Sequence, residues 1–441
     1  MLAGIAKIDI TPTEPVWMEG MLRTHKSEGI HDPLHVRALV LANSADPADA
    51  VVIAAADLCV MHKPKTDAIR RMASERTGIP VEQMIVAVTH THSGPSTSGL
   101  LCPIEEEYTE RVIASFVTAI TDAYRALQPA QAAFTSGKEG TISNYRRLMA
   151  DDGHVVMNWE PFPAERIIGP FGVIDPELGV LKITAADDPA KVLAILFNHA
   201  GHPNVLSGEN YLISADYPGL AEGRLEKTFG AVVMFVNGAQ GTMDIDGLRD
   251  RDWEGLDRVG NALADAVEKT IGMLPSAAEF TVASASATYP LPARKITEAE
   301  YAWAQQIIKE TGGKIAPLAD GVGDDYKANL YVRLRAIQDQ DLPCNQVCIA
   351  MGDAAWISVP VELYTEIGLK IKAQSPFRYT YIIAMANGYF GYVPTPVAIF
   401  EGGYAEDTRE VDAAAEGIIL QQSQALLVSV FNTINTKGVH P

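Results

Sequence analysis

Two histidines one residue apart, His90 and His92, close the apolar run MIVAVTHTH, and Ser93, Gly94 and Pro95 follow at once. A second apolar run, KVLAILFNHAGHP, ends in His199 and His202. In an extended chain residues two apart point the same way, so His90 and His92 can face one pocket. Imidazole binds zinc well, and a catalytic zinc takes about three protein ligands and leaves one position open. An HxH pair by itself leaves three readings open: metal ligands, catalytic bases or hydrogen-bonded loop residues. The second pair strengthens the metal reading, because His25, His31, His35, His62, His154 and His440 are scattered and carry no such context. Of these, His31 and His35 flank a strand start and His440 belongs to a tail. His62, just after DLCVM, is a candidate for supporting the ligands from behind.

A third apolar run, AVVMFVNGAQGTMD, opens into Asn237, Gly238, Ala239, Gln240 and Gly241. Glycines there let the backbone approach a ligand closely. A phosphate-binding loop needs a Lys and a helix start in register, and neither is present, so the loop reads as pocket floor. Asp57, at the end of VVIAAADL, either points at the same pocket or caps the helix near Lys65. Asp216, in SADYPG, either orients a ligand histidine or caps the helix after it.

The elements that must carry these residues are those of an α/β chain. VVIAAADL (51–58), MIVAVTH (84–90), KVLAILFNH (191–199) and AVVMFVNG (231–238) are short, β-branched and bounded by polar or Gly residues, as buried strands are. Helical patterns fill 65–76, 106–127, 217–227 and 255–271. The carboxyl ends of such strands are where open α/β sheets place their sites. QVCIAMGDAAWISVP predicts a hairpin turning at Gly352 and Asp353, followed by a helix over 362–372, a strand in RYTYIIAMANG, a loop to about 406 and a last helix over about 407–434. With no Pro/Ser linker and no internal repeat, we expect one domain over 1–441, with mixed sheets flanked by helices. Segments 138–178 and 312–328 lack periodicity and read as lids or binding loops, with a surface excursion as the alternative for the second.

A formal net charge of -20, from 35 basic and 55 acidic side chains, sets the surface against nucleic acid. Four cysteines make no disulfide framework, and Cys344 and Cys348 lack the second pair a zinc ribbon needs. No run of about 18 or more apolar residues predicts a membrane span. The start, MLAGIAKIDITPTEP, lacks the basic and apolar regions of a secretory leader, which predicts a cytoplasmic chain. A small molecule is the expected partner, and a dimer contact over the site is a further expectation.

THTHSGP, NHAGHP followed by LISADYPG, NGAQG, SVPVE and NGYFGYVPT stand in the order found in the neutral ceramidases and their bacterial relatives, and AGIAKIDITP and HDPLHVRALVL look similar too. The chain resembles that family over nearly its whole length. The resemblance implies a zinc amidohydrolase that cleaves an N-acyl bond, on the ceramidase catalytic-domain fold. Carried over motif by motif, it makes His90, His202, Glu362 and Tyr392 the zinc ligands and His92 an active-site histidine beside the metal. It makes Arg146 a substrate-pocket arginine, places Tyr404 near the reacting carbonyl, and leaves His199 either structural or a support behind the ligands.

Two departures bear on the substrate. Where the ceramidases carry Gly-Asp-x-Ser-Pro with an active-site serine, this chain reads Gly241-Thr242-Met243-Asp244. Asp244, or Thr242 in a shifted alignment, stands near the serine's place. The ceramidases also have a carboxyl-terminal immunoglobulin-like domain for which this chain has no room, so the family name does not assign the substrate. The expected chemistry is zinc-activated water attacking a carbonyl, with Tyr404 or His92 at the oxyanion and His92 or Asp244 moving the proton. Arg146 would bind a polar or anionic group. The substrate expected is a small or medium polar amide. Ester or lactone hydrolysis with the same metal, and a noncatalytic ligand-binding relative, are the alternatives.

Overall fold

The β-branched runs become strands because period-2 alternation lets each sheet bury both faces. A computed structural model, described over residues 1–245 and 251–437, arranges them in four layers, helix, sheet, sheet and helix. His440 lies outside the described residues. The larger sheet has eight strands in the spatial order Val232–Asn237, Val192–His199, Glu177–Ala185, Gln128–Lys138, Leu2–Asp9, His35–Ala42, Ala50–Ala56 and Met84–Val88. Its two outermost pairs are parallel and the rest antiparallel. The second sheet runs Val282–Pro292, Asp341–Met351, Ala354–Ser358 and Tyr379–Ile383. The expected hairpin through Gly352 and Asp353 is its middle.

Alternate residues divide between the layers. Leu39, Leu41, Val51 and Ile53 of the large sheet pack with Val347, Ile349, Met351 and Trp356 of the small one. Their neighbours Val40, Val52 and Ala54 belong to the core that includes Ile69, Val112 and Phe116 of helices Lys63–Thr77 and Glu106–Arg125. At the other end of the large sheet Phe197 and Phe235 meet Leu225 and Leu263 of helices Asp216–Phe229 and Trp253–Ile271. The last helix, Ala415–Lys437, covers the outside of the second sheet.

The large sheet curls until its two ends meet. The segment after Tyr379–Ile383 stitches them: Ala384 N donates to Asn237 O at 3.0 Å, and Asn387 N donates to Val86 O at 2.8 Å. Met385 and Asn387 take left-handed φ values of 56° and 61° to make this passage. The carboxyl ends of Met84–Val88, Val192–His199 and Val232–Asn237 therefore share one small region.

Three expectations change. The helix expected over 362–372 begins at Thr365, because Glu362 and Leu363 pair in parallel with Tyr392 and Val393. The helix expected from about 407 is split into Tyr404–Thr408 and Ala415–Lys437, because the backbone between them is engaged elsewhere: Arg294 N donates to Glu410 O and Asp412 N to Pro292 O. The segment 138–178 is ordered as short strands, including Ser143–Tyr145, Arg147–Ala150, Val155–Met157 and Ile167–Pro170. A helical pair, Glu298–Thr311 and Asp324–Ile337, has its own small core around Ala304, Ala328 and Leu334. No helix among the described residues is long and apolar enough to cross a membrane.

Candidate metal centre

His90 does not sit on an extended strand. The strand stops at Val88, and His90 has φ 76°, held by its own N–H bond to Leu58 O at 2.8 Å and that of Thr89 to Ala56 O at 2.9 Å. Such a conformation costs a non-glycine residue about 1–3 kcal/mol and persists where the surroundings impose it. The turn brings the His90 and His92 rings to 4.8 Å, nearly perpendicular, with the His202 ring 5.0 Å from His90. All three imidazoles are buried.

Backbone carbonyls decide which nitrogens face the centre. His90 Nδ1 donates to Cys59 O at 2.9 Å and His202 Nδ1 to Met243 O at 2.9 Å. Each ring then presents an unprotonated Nε2, the form a metal ligand needs. Glu362 Oε2 lies 3.0 Å from His202 Nε2 and 3.4 Å from His90 Nε2, while the Tyr392 hydroxyl is 3.5 Å from His202 Nε2. Ligands about 2.0–2.1 Å from a tetrahedral ion stand roughly 3.3 Å apart, so these separations fit two imidazoles, a carboxylate and a phenol around one zinc-sized cation. Tyr389 donates to the other Glu362 oxygen at 2.8 Å and fixes the carboxylate from behind. Burial alone would raise the Glu362 carboxyl, but His90 and His202 hold it well below the usual range. Cys59 Sγ is also near, yet it lies on the Nδ1 edge of His90, 3.7 Å away, on the side turned from the centre.

His92 differs from the other two. Its Nε2 is 3.3 Å from His90 Nε2, but its Nδ1 is buried with no hydrogen-bond partner. Burial, with His90 and His202 beside it, keeps this imidazole neutral far below its ordinary range. It is thus the histidine whose proton is not committed to a backbone carbonyl. Gly20, at φ 93°, allows the ring its place, since a Cβ there would stand 2.7 Å from the His92 ring.

Arg146 enters from the short strands, with Nη1 3.2 Å from His202 Nε2. Its guanidinium carbon lies 5.0 Å from the Tyr392 ring centre, 5.5 Å from Trp159 and 5.9 Å from Tyr404. Its Nε and Nη2 are buried without partners. Burial opposes the charge, but Tyr392, Glu362 and Asp244 outweigh it and hold Arg146 above its ordinary range. Tyr404 lines a small cavity with His90, His92, Glu362 and Tyr392, and Arg146 lies behind the Tyr392 and Tyr404 rings.

Asp244 follows Met243, whose carbonyl holds His202, but its own carboxylate is hydrogen-bonded to other groups. Its carboxylate accepts from Ile245 N at 2.9 Å and, with the amide of Asn204 turned to face it, from Asn204 at 2.8 Å. Its charge acts on Arg146 instead. Thr242 donates to Thr365 Oγ1 at 2.9 Å, away from the cavity wall. Asp57 pairs with Arg37 at 3.0 Å, and Asp216 accepts from Leu206 N and Tyr217 N rather than from a ligand histidine. His199 Nε2 donates to Glu139 O, 3.0 Å away, as a structural residue. His62 precedes helix Lys63–Thr77, with its ring 5.9 Å from that of Tyr389.

Sequence reasoning missed Tyr389 and Trp159. Tyr389 stands three residues before Tyr392 in a quoted motif, which is a usable signal. Trp159 had none beyond its place in an aperiodic segment. It also missed Glu19, a fully buried carboxylate that accepts from Ser98 N at 3.0 Å and Leu100 N at 3.1 Å and so holds the loop after His92.

Comparison with known proteins gives a consistent likeness. Residues 1–287 match the family described as neutral/alkaline non-lysosomal ceramidase, N-terminal. Among solved structures, the chain is similar to the neutral ceramidase from Pseudomonas aeruginosa, at 18% identity and a TM-score of 0.75, over 98% of this chain and 75% of that one. It is similar also to a ceramidase complexed with C2, at 17% identity and a TM-score of 0.73, over the same shares. No curated protein matches. At these identities the structural likeness shows the fold.

Proposed function

We propose that this chain, which belongs to the neutral/alkaline non-lysosomal ceramidase family, is a metal-dependent hydrolase that cleaves the C–N bond of an amide, with zinc as the ion. The observation that carries this reading is the convergence of His90, His202 and Glu362, with both Nδ1 atoms tied to carbonyls so that both Nε2 atoms turn to one point. Tyr392 completes the donor set. When bound there, zinc supplies Lewis acidity to a carbonyl and makes water acidic enough to attack near pH 7.

The chain's own residues do the rest. His92, with its uncommitted proton, hydrogen-bonds the reacting group, takes the proton the attacking water gives up and passes one to the leaving nitrogen. The Tyr404 hydroxyl donates to the oxygen on which negative charge develops. Arg146, beside the rings of Tyr392, Trp159 and Tyr404, binds a carboxylate or other polar group of the substrate through its unpartnered nitrogens. No serine is needed in this scheme, which accords with Thr242 and Asp244 being occupied elsewhere.

The test is metal content of protein purified without added metal, beside His90→Ala and Glu362→Ala, followed by screening amides and then lactones. About one zinc per chain, lost in both variants and matched by loss of amide cleavage, is the expected result. Metal-free protein that takes up none on reconstitution would overturn it. Lactone cleavage without amide cleavage would keep the metal and change the substrate class.

A further inference from the structure

The cavity over the histidines is small, about 40 Å³, and adjoins a second of about 330 Å³. Tyr326 and Tyr389 stand in the walls of both, with Leu100, Leu101 and Glu410. The outer chamber is roofed by helix Asp324–Ile337, which lies beyond the residues that match the family model. Resting on the hydrolase reading above, we infer that this chamber receives one arm of the substrate and makes the protein selective for short amides, whose arm has an apolar stem and an uncharged polar end, over long-chain amides.

Size is the first argument. Ligand pockets run from about 300 to 1,000 Å³, and this chamber is at the lower end. The distribution of side chains is the second. Near the histidines the walls are Leu100 and Leu101, with Leu330 beyond them, surfaces that gain by covering methylenes. Asn329 and Arg333 line the outer chamber alone, and Glu410, paired with Arg333 at 2.5 Å, stands where the two cavities join. The opposite charges of that pair leave no net charge for an ionic arm, but offer hydrogen bonds to a hydroxyl or carbonyl. An alkyl chain longer than the apolar part would lie against the ion pair or in water and gain no further burial.

The third argument is preorganisation. The Leu100 wall does not depend on the ligand, because Glu19 holds Ser98 and Leu100 by their backbone N–H groups. Leu101 is fixed at φ 68°, so its side chain is turned by the backbone rather than by contact with a substrate. The helix side is tied to the frame by Arg333 to Glu410 and by Lys327, 3.5 Å from Asp407. The chamber therefore resists widening.

The experiment is a series of N-acylglycines from acetyl to lauroyl, each also with a terminal hydroxyl, assayed with the intact zinc-loaded protein. The glycine carboxylate is the group for Arg146, and the acyl group is the arm for the chamber. The expected result is a kcat/KM that rises to about hexanoyl and falls ~10-fold or more by lauroyl, with the hydroxylated hexanoyl compound at least as good as the plain one. Leu101→Ala, or Ile315→Ala at the more exposed rim, moves the optimum to longer chains. A steady rise to lauroyl, or an optimum unmoved in both variants, overturns the inference while leaving the hydrolase reading intact. If no member is cleaved, calorimetric binding of the same series separates the two. Tighter binding of hexanoyl than of lauroyl keeps the chamber's selectivity and sinks the hydrolase reading, whereas equal or absent binding overturns both.

Discussion

The side-chain amide of Asn237 donates to Thr89 O at 3.0 Å and to Gly201 O at 2.9 Å. Thr89 precedes His90 and Gly201 precedes His202. One buried amide, at the end of an edge strand, thus clamps the two backbone turns that carry the metal-facing imidazoles, and Gly201 N returns a bond to its oxygen at 3.3 Å.

Asn237→Ala leaves these buried backbone groups unpaired, at about 1–3 kcal/mol for each. We expect a loss of about 3 kcal/mol in urea unfolding and ~10–100-fold weaker zinc binding, the size of effect seen when outer-sphere support is removed. Unchanged zinc affinity in a folded variant would show that the turns hold themselves.

His92→Gln tests the division of labour among the histidines. Zinc content is expected to stay near that of the parent, because the Nδ1-anchored His90 and His202 remain, while kcat falls by about 10²–10⁴. Loss of zinc along with activity would make His92 a ligand.

Glu19→Ala removes the acceptor shared by Ser98 and Leu100. Burial pushes this carboxyl up, and the loop's donors pull it back. The variant is expected to lose about 2 kcal/mol of stability and to raise KM for the preferred amide more than it lowers kcat. Glu19→Gln, which keeps an acceptor, restores part of both. An unchanged KM in Glu19→Ala would detach the loop from substrate binding.

Asp216 supplies a pH dependence with a definite sign. Burial pushes its carboxyl from 3.8 to about 7, so the folded chain keeps a proton that the unfolded chain releases. Its contribution to stability is present below about pH 4 and is lost as pH rises to about 7, a change on the order of 4 kcal/mol. Asp216→Asn also suits the φ of 56° at this position. The variant should unfold with a flatter pH profile than the parent between pH 4 and 7, and superimposable profiles would refute the assignment.

What could be read from the linear chain was local. The apolar runs at 51–58, 84–90, 191–199 and 231–238 are strands because their own side chains demand burial, and the helices between them were legible from period. The split of the last helix was not legible, because it depends on pairing with residues 292–294 more than a hundred positions away. The resemblance pointed to His90, His202, Glu362 and Tyr392, and the fold brings their donor atoms to 3.0–3.5 Å of one another along the measured edges.

Tertiary structure decided which nitrogen each histidine presents, because the Cys59 and Met243 carbonyls that fix the tautomers lie 31 and 41 residues away from their imidazoles in the chain. It engaged the Asp244 segment through pairing of Met243–Ile245 with Ser143–Tyr145 and through the amide of Asn204. It also curled the large sheet so that its outermost strands meet at Asn237 and Thr89. Residue types and spacing determine the chemistry available to a pocket. Which of those groups face it is set by backbone hydrogen bonds between distant segments, and these form only when burial of both sheets brings their partners within reach.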